Sequence, residues 1–391
     1  MAIVSFGLDA IVIFDVGVTA SAGRTGLDLR SVVVGTSPIL RYAHGLDFID
    51  EDTIVVANRG GDVAAFRIPS TAKPGQSCEL EFIRMLQPNN PSVFTAPGSV
   101  WVGRDDGTRH DVLICNAYCH TMTRQVIDTA DACSVKSEES VAEKWLNTPD
   151  GVDVSGDRRW IAISNHSAHN ILLYKGLPSL TEGDAPAGLL RPVYYPHGLR
   201  FSADGRYILV ADAGAPYVHI FFSEDGDWDG VHDPAASVRT MDESVFQRGH
   251  VNPQNGGPKG IDIDAGMNVM VTTCGDQPIA VFDFPALARQ ASAEVHRNPS
   301  KAQRALQLRC ELDLLKLANE QRDRAVLAEE KAAGADVALA AAVAAAEGKA
   351  AARIAHEEER AARFKARAAK ATAKAPGPRL RPPGPRRVPG S

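Results

Sequence analysis

The chain has 391 residues, 44% of them hydrophobic, which is enough for a packed core in one large domain or two ordinary ones. Its formal net charge of −6 argues against the chain as a whole binding nucleic acid or an anionic membrane. No apolar stretch reaches the roughly 18 residues of a membrane-spanning helix, and the N-terminal segment lacks the basic residues of a signal peptide. Six scattered cysteines predict reduced thiols and a cytoplasmic protein.

Five segments before residue 285 share one plan. Each has a glycine, a short alternating strand, an acidic or glycine-containing turn, a second apolar strand, a polar break and a third strand. The aligned glycines are Gly45, Gly98, Gly151, Gly198 and Gly260, spaced by 53, 53, 47 and 62 residues. A fourth strand fits between units, as in ELEFIRML (79–86) and GLLRPVYY (188–195). A period near 50 with three or four strands per unit is typical of β-propeller blades.

The first residues resemble the middle of a blade rather than its beginning. The second and third strands of a blade are matched by the segment AIVSFGLDAIVIFDVG (2–17), and the fourth strand by RSVVVGT (30–36). We therefore predict an all-β, six-bladed propeller whose first blade lacks its innermost strand, with seven blades as the alternative. Such a blade implies either a start upstream of Met1 or imperfect ring closure.

The composition changes near residue 290 and predicts three regions. They are a β-propeller over 1–288, a helical extension rich in Ala, Glu, Lys and Arg over 289–375, and a disordered Pro/Arg-rich tail over 376–391. The extension has a short apolar stripe at Leu308, Leu312 and Leu315 that does not continue at Asn319 and Arg322. It could dock on its own domain, or associate with a second copy or another partner as a coiled coil.

The phrase GLRFSADGRYILVADAG (198–214) is similar to the blade repeat of six-bladed propellers in the gluconolactonase/senescence-marker-protein, NHL-repeat and YVTN-type group. The resemblance covers roughly residues 1–285. It implies the propeller fold and, for the gluconolactonase members, a metal held near the channel by Asn, Asp and Glu side chains. Asp150 and His197 stand where that family often has Asn, and Asp212 matches its acidic residue after the second strand. The family's N-terminal Glu has no counterpart here.

Hairpin geometry predicts a polar site at one end of the central channel. The start of the first strand and the end of the second lie at the same edge of each blade, and the first strand is innermost. The five units place His44, Pro97, Asp150, His197 and Lys259 at the first position. They place Asn58, Asn116, Asn165, Asp212 and Cys274 at the second.

These positions predict specific roles. We assign His197 and Asp150 as catalytic candidates. Metal ligands are predicted at His44, Asn165 and Asp212, and further ligand contacts at Asn58, Asn116 and Lys259. The predicted cofactor is one divalent cation, calcium if oxygen ligands dominate and zinc or manganese if histidine does, and otherwise none. A metal there could polarise a lactone or ester carbonyl.

A structural interpretation of the same residues stays open. Asn and Asp at strand ends commonly close turns. His166 and His169, which follow a second strand, are predicted as exposed turn residues, with a position at the channel mouth as the alternative. The segment GHVNPQNGGPKG (249–260) is predicted as a connector, with a lid over the channel as the alternative. Two functions remain: a scaffold that presents the channel mouth to a small molecule or protein, and a metal-dependent lactone or ester hydrolase.

Overall fold

A computed structural model of the chain describes residues 1–21, 24–87, 96–104, 107–293, 304, 307–309 and 311–329. It contains six β-sheets that follow one another as the blades of a propeller, so the predicted fold class is confirmed. Neighbouring blades contact one another mainly through their first strands. The predicted extension beyond residue 329 and the predicted tail lie outside the described residues.

Blade 1 has two long antiparallel strands flanked by a short antiparallel strand on one side and a short parallel strand on the other. They are β1 (Ala2–Ser5), β2 (Ala10–Ser21), β3 (Arg24–Thr36) and, at the outer edge, β7 (Ser77–Glu79). The β1–β2 loop lies at the same end as the beginning of blade 2, since Phe6 contacts the ring of His44 and Asp9 accepts a hydrogen bond from Tyr42. β1 therefore runs in the direction of the second strands, and the predicted absence of the innermost strand in this blade is confirmed.

Blades 2 and 3 are regular four-stranded antiparallel sheets. Blade 2 contains β4 (Ala43–Phe48), β5 (Thr53–Asn58), β6 (Val63–Arg67) and β8 (Glu81–Met85). Blade 3 contains β9 (Pro97–Val102), β10 (Arg109–Asn116), β11 (Thr121–Asp128) and β12 (Ser134–Val141).

The last three blades differ in strand number. Blade 4 contains β13 (Pro149–Val154), β14 (Trp160–Asn165), β15 (Asn170–Lys175), β16 (Gly188–Leu190) and β20 (Gly230–His232). Blade 5 contains β17 (Pro196–Phe201), β18 (Tyr207–Asp212), β19 (Tyr217–Phe222) and β21 (Ala236–Arg239). Within the described residues blade 6 has three strands, β22 (Gly260–Ile263), β23 (Val269–Thr273) and β24 (Ala280–Asp283).

Two short parallel strands join neighbouring blades. β7 lies in the chain between the third and fourth strands of blade 2 but pairs with β3 of blade 1. In the same way, β20 lies in the chain between the third and fourth strands of blade 5 but pairs with β16 of blade 4. The long β2–β3 hairpin also reaches blade 6, where the Thr25 amide donates to Asp283 Oδ2 at 3.0 Å and the Thr25 hydroxyl donates to the Asn268 carbonyl at 2.8 Å.

The core lies between blades, because second strands are covered on both faces. Every residue of β5, β14 and β18 is buried. The aligned glycines let first strands of adjacent blades approach closely. A Cβ on Gly151 would overlap the carbonyl oxygen of His197, and one on Gly198 would lie 2.6 Å from the Lys259 carbonyl oxygen. The repeated glycine is therefore a packing requirement of the propeller axis.

The helical elements follow the strands or connect them. α1 (Glu243–Gly249) precedes the connection to blade 6, and α2 (Phe284–Ala293) continues directly from β24. Four 3₁₀ turns lie within the described residues: Thr129–Asp131, Glu143–Trp145, His166–Ala168 and Leu177–Ser179. Residues 311–329 form the C-terminal helix.

The apolar stripe of the C-terminal helix packs on the propeller. Leu315 is 7% exposed and belongs to a buried cluster from blades 3 and 4, against which Leu308 and Leu312 also pack. Asn319 is buried too, and its Nδ2 donates to the Leu146 carbonyl at 3.4 Å. The docking alternative thus accounts for these three leucines. The chain divides into two compact units, 1–320 and 321–391, and the described residues of the second, 321–329, are helical.

Five cysteines lie within the described residues, and all five are free thiols. No helix among the described residues is both long and apolar enough to cross a membrane.

Candidate functional site

The first strands of blades 2, 4 and 5 begin with a β-bulge at the channel mouth, by which we mean the end of the axis where first strands start and second strands finish. The pairing of β4 with β5 shifts between Ala43 and Gly45, at His44. Corresponding shifts in blades 4 and 5 include Asp150 and His197. Because bulges redirect side chains, the predicted first positions become inward-facing residues.

His44, Asp150 and His197 meet around one carboxylate. His197 Nε2 lies 3.1 Å from Asp150 Oδ2, and His44 Nδ1 lies 3.9 Å from Oδ1. The imidazole rings of His44 and His197 have centroids 4.9 Å apart. One nitrogen or oxygen atom from each of the three residues lies within 4.8 Å of the other two. Three of the predicted site residues, from three different blades, are therefore brought together.

Arg59 completes this cluster and was not among the predicted site residues. Its Nη2 donates to Asp150 Oδ1 and lies 3.1 Å from His44 Nε2. His44 Nδ1 lies 2.7 Å from the Gly98 carbonyl oxygen, so hydrogen bonding assigns the proton to Nδ1 and leaves Nε2 to accept from Arg59. Arg59 Nε is buried and has no hydrogen-bond partner within the described chain. Arg59 directly follows Asn58, the last residue of β5. The residue immediately after a second strand is therefore the sequence feature that could have indicated Arg59 as a site residue.

His166 occupies the same position in blade 4. Its predicted exposure is wrong, and the alternative, a position at the channel mouth, is the one that the structure shows. Its side chain is buried between two blades and a loop: Nδ1 lies 3.0 Å from the Pro196 carbonyl oxygen, and Nε2 lies 3.0 Å from Gln254 Oε1. The ring contacts that of His197 at 5.9 Å. Through Gln254, the loop between α1 and β22 reaches the channel mouth instead of merely connecting two blades. His169 is half-buried and stacks on Tyr194.

Lys259 lies at the edge of the same cluster. Its Nζ donates to Asn255 Oδ1 at 2.7 Å, and its charge acts on Asp150 and on the imidazoles of His44 and His197. No salt bridge to Lys259 is formed by the residues that the structure describes. The cluster thus combines two cationic side chains with one carboxylate.

Burial sets the protonation of the cluster. It lowers the pKa of His44 to about 4 and that of His197 well below its ordinary value, so both imidazoles are neutral at pH 7. Burial alone would raise the pKa of Asp150, but His197 and Arg59 hold it below its usual range. Burial also lowers the pKa of Lys259.

Acidification should therefore destabilise the fold through buried histidines. Between pH 6.5 and 4 the unfolded chain binds a proton at His44 that the folded chain does not, so the free energy of unfolding falls as pH falls. We expect His44 to account for a loss of about 2 kcal/mol between pH 7 and 5. Burial lowers the pKa of His232 to about 4, so this residue also destabilises the folded chain as pH falls. Burial raises the pKa of Asp153 to about 6, so Asp153 has the opposite effect.

Urea unfolding of wild type and His44→Gln at pH 7 and pH 5 measures this effect. The substitution should make stability less dependent on pH, because it removes one buried group that must stay neutral. An unchanged pH dependence would show that the His44 imidazole is protonated equally in the folded and unfolded chain.

Asp212 lies outside the cluster. Its carboxylate accepts hydrogen bonds from the amides of Tyr194, Tyr195 and Gly214, at 2.7 to 3.0 Å, and lies 3.1 Å from His219 Nε2. Burial alone would raise the pKa of Asp212, but these hydrogen bonds bring it below its ordinary value. In this structure Asp212 closes the loop that begins blade 5.

The three predicted asparagines also make local hydrogen bonds. Asn58 accepts from the Arg41 amide and donates to the Asp62 carbonyl. Asn165 accepts from the Asn147 amide and donates to the Trp145 carbonyl. Asn116 donates to hydroxyls within its own blade. These contacts match the turn-closing interpretation of second-strand ends.

Exposed aromatic side chains surround the channel mouth. Phe6, Tyr42, Tyr118 and Tyr194 are between 46% and 63% exposed. Phe6 contacts the rings of both Tyr42 and His44. The Arg59 guanidinium lies 5.9 Å from the centre of the Tyr118 ring. The polar cluster is thus bordered by an aromatic rim, the name used below for these four residues.

The cluster contains donors for a metal but already holds a cationic side chain. Two neutral imidazoles and a carboxylate suit zinc or manganese better than calcium. However, Arg59 contacts one oxygen of Asp150 and the Nε2 of His44, and His44 Nδ1 is used by Gly98. A cation among these residues would have to displace the guanidinium or lie against its charge. In this arrangement the donors are compatible with a divalent cation by type, while Arg59 supplies the positive charge.

Fold and site together define a six-bladed β-propeller with a buried Arg–Asp–His cluster at one end of its axis. No protein-family model and no curated protein matches the chain. Among solved structures it is similar to the periplasmic gluconolactonase of Pseudomonas aeruginosa, with 15% identity over 70% of this chain and 72% of that chain and a TM-score of 0.41.

A protein of unknown function from Desulfotomaculum acetoxidans is also similar, with 14% identity over 73% of this chain and 76% of that chain and a TM-score of 0.44. A chain of the mitotic checkpoint complex has 10% identity over 71% of both chains and a TM-score of 0.42. A likeness at this level carries no conclusion about activity or ligand.

Proposed function

We propose that the protein is a binding propeller that presents its channel mouth to a small ligand or a protein partner. The observation that supports this function is a buried charged cluster bordered by the exposed aromatic rim. Soluble proteins rarely expose several aromatic side chains together without an interaction to cover them. A few converging polar groups beside aromatic side chains are a common feature of ligand-binding sites.

A thermal-shift screen of small polar compounds against the full chain tests the proposal. Ligands of the mouth should raise Tm in wild type and lose this effect in Tyr118→Ala with Tyr194→Ala, because the rim no longer covers them. Phe82→Ala is the matched control, since Phe82 is 48% exposed but lies on an outer strand of blade 2. An equal rise of Tm in the rim variant and in wild type would place binding elsewhere. A screen that finds no ligand would count against the proposed function.

Metal-dependent hydrolysis of a lactone or ester is a second candidate function. It is favoured by the approach of His44, Asp150 and His197 to within 4.8 Å, and these residues would hold the cation. When bound, a divalent cation would supply Lewis-acid polarisation of a substrate carbonyl. Arg59 would then have to withdraw from Asp150.

Arg59 offers a test that separates the two candidates. Under the binding proposal, dialysed wild-type protein should contain far less than one zinc, manganese or calcium per chain by elemental analysis. Removing the competing charge in Arg59→Gln should increase cobalt(II) binding, visible as d–d absorption, and His197→Ala in that background should abolish the gain. One tightly held metal per wild-type chain would instead establish the second candidate.

A further inference from the structure

The channel mouth carries more positive than negative charge at its base. Arg59 and Lys259 face a single carboxylate, Asp150, whose Oδ1 is already bonded by Arg59. The nearby histidines His44 and His197 supply no negative charge, because an imidazole is either neutral or cationic. The Asp212 carboxylate has its own hydrogen-bond partners, which are three backbone amides and His219. One positive charge in the cluster is therefore left without a counterion among the described residues.

The hydrogen-bond donors of these cations are only partly used. All described hydrogen bonds of the Arg59 side chain involve Nη2, and its buried Nε has no partner among the described residues. Lys259 Nζ bonds the neutral amide oxygen of Asn255 and makes no described salt bridge. Arg59 and Lys259 are both half-buried, and a cation that has lost part of its hydration without gaining a counterion is costly, so an anion bound from solution would relieve that cost.

The side chains around these donors indicate what kind of molecule would bear the anionic group. The Tyr118 ring lies over Arg59, and ring contacts run from His44 through His197 and His166 to Tyr195. Flat faces beside a guanidinium suit a planar group, because aromatic rings stack on one another and on arginine. A carboxylate is itself planar and matches the guanidinium fork.

We propose that the channel mouth binds a small carboxylate attached to a planar apolar ring, with Arg59 and Lys259 contacting the carboxylate and the aromatic rim covering the ring. This inference rests on the proposed binding function and names its ligand class. It assigns selectivity to charge, so a neutral molecule of the same shape should bind much more weakly.

Four probes test charge and ring separately: benzoate, its neutral amide benzamide, the cation benzylammonium, and acetate, which lacks the ring. Ligand-observed NMR on the full-length protein at low ionic strength should show benzoate binding at least about tenfold more tightly than benzamide, in line with the strength of charged hydrogen bonds. Acetate should bind more weakly than benzoate, and benzylammonium should not displace bound benzoate.

Variants connect the binding to this site. Lys259→Met should weaken benzoate by about tenfold and leave any benzamide binding unchanged. Lys73→Met, an exposed lysine on the loop between β6 and β7, is the matched control and should match wild type. Because Met retains most of the lysine stem, circular dichroism should confirm that the variant is folded.

The outcomes separate this inference from the function on which it rests. If benzamide or benzylammonium binds as tightly as benzoate, or Lys259→Met leaves benzoate affinity unchanged, the carboxylate assignment is overturned while a binding mouth is retained. If no probe binds, the assignment is also overturned. The proposed function itself falls only if the broader thermal-shift screen finds no ligand.

Discussion

Asp150→Asn should lower the free energy of unfolding by about 3–5 kcal/mol, because it leaves the half-buried Arg59 and the nearby Lys259 without their shared counterion. The side chain of Asp150 is 5% exposed and that of Arg59 is 16% exposed, so water replaces only part of the interaction with the lost carboxylate. Urea unfolding at pH 7, followed by circular dichroism, measures the change.

An exposed ion pair gives the comparison for this prediction. Lys175 Nζ lies 2.7 Å from Asp229 Oδ2, but both side chains are about half exposed, so Asp229→Asn should cost at most about 1 kcal/mol. Adding Arg59→Met to Asp150→Asn should recover part of the stability, since it removes the uncompensated charge. Similar losses in Asp150→Asn and Asp229→Asn would show that the buried cluster is not held by its charges.

Leu315→Ala should destabilise the protein by about 2–5 kcal/mol, because it removes a buried side chain where the C-terminal helix packs on the propeller. Leu315 is 7% exposed and shares a cluster with Trp145, Leu146 and Leu180. The substitution should lower the urea midpoint of the whole domain. The reason is that residues up to 320 belong to the same compact unit as the blades.

The preceding residue provides a matched control. Leu314 is 64% exposed on the same helix, so Leu314→Ala changes helix propensity equally but removes little packing, and its effect should stay within about 0.5 kcal/mol. Equal effects of the two substitutions would mean that the helix does not dock in solution. A chain ending near residue 290 would then be expected to fold as well as the full chain.

The blade pattern was predictable because it is local. A strand of alternating polarity, a turn and a second apolar strand can be recognised within about 30 residues, and the glycine near the start of each first strand marks the propeller axis. Gly151 and Gly198 illustrate the reason: only a residue without a side chain lets adjacent first strands approach so closely. The incomplete first blade was also predictable, since AIVSFGLDAIVIF lacks that leading glycine.

The candidate site was predictable only in part. Hairpin geometry brings His44, Asp150 and His197 to the channel mouth, and bulges in their strands direct them to one cluster. The same reasoning treated Asp212 as equivalent, yet its carboxylate is occupied by backbone amides. Whether a strand-end residue closes a turn or faces the axis depends on hydrogen-bond partners in the neighbouring loop.

The sequence by itself determined the blade repeat, the missing strand and the apolar stripe of the C-terminal helix, because each depends on a short-range pattern of side-chain size and polarity. It left seven blades open as an alternative to six, and the structure has six. Only the tertiary structure decided that Arg59 neutralises Asp150, that His166 is buried beneath the loop carrying Gln254, and that β7 and β20 pair with neighbouring blades. Those contacts join residues up to 91 positions apart. Their partners are set by how blades close around an axis, and no local pattern encodes that closure.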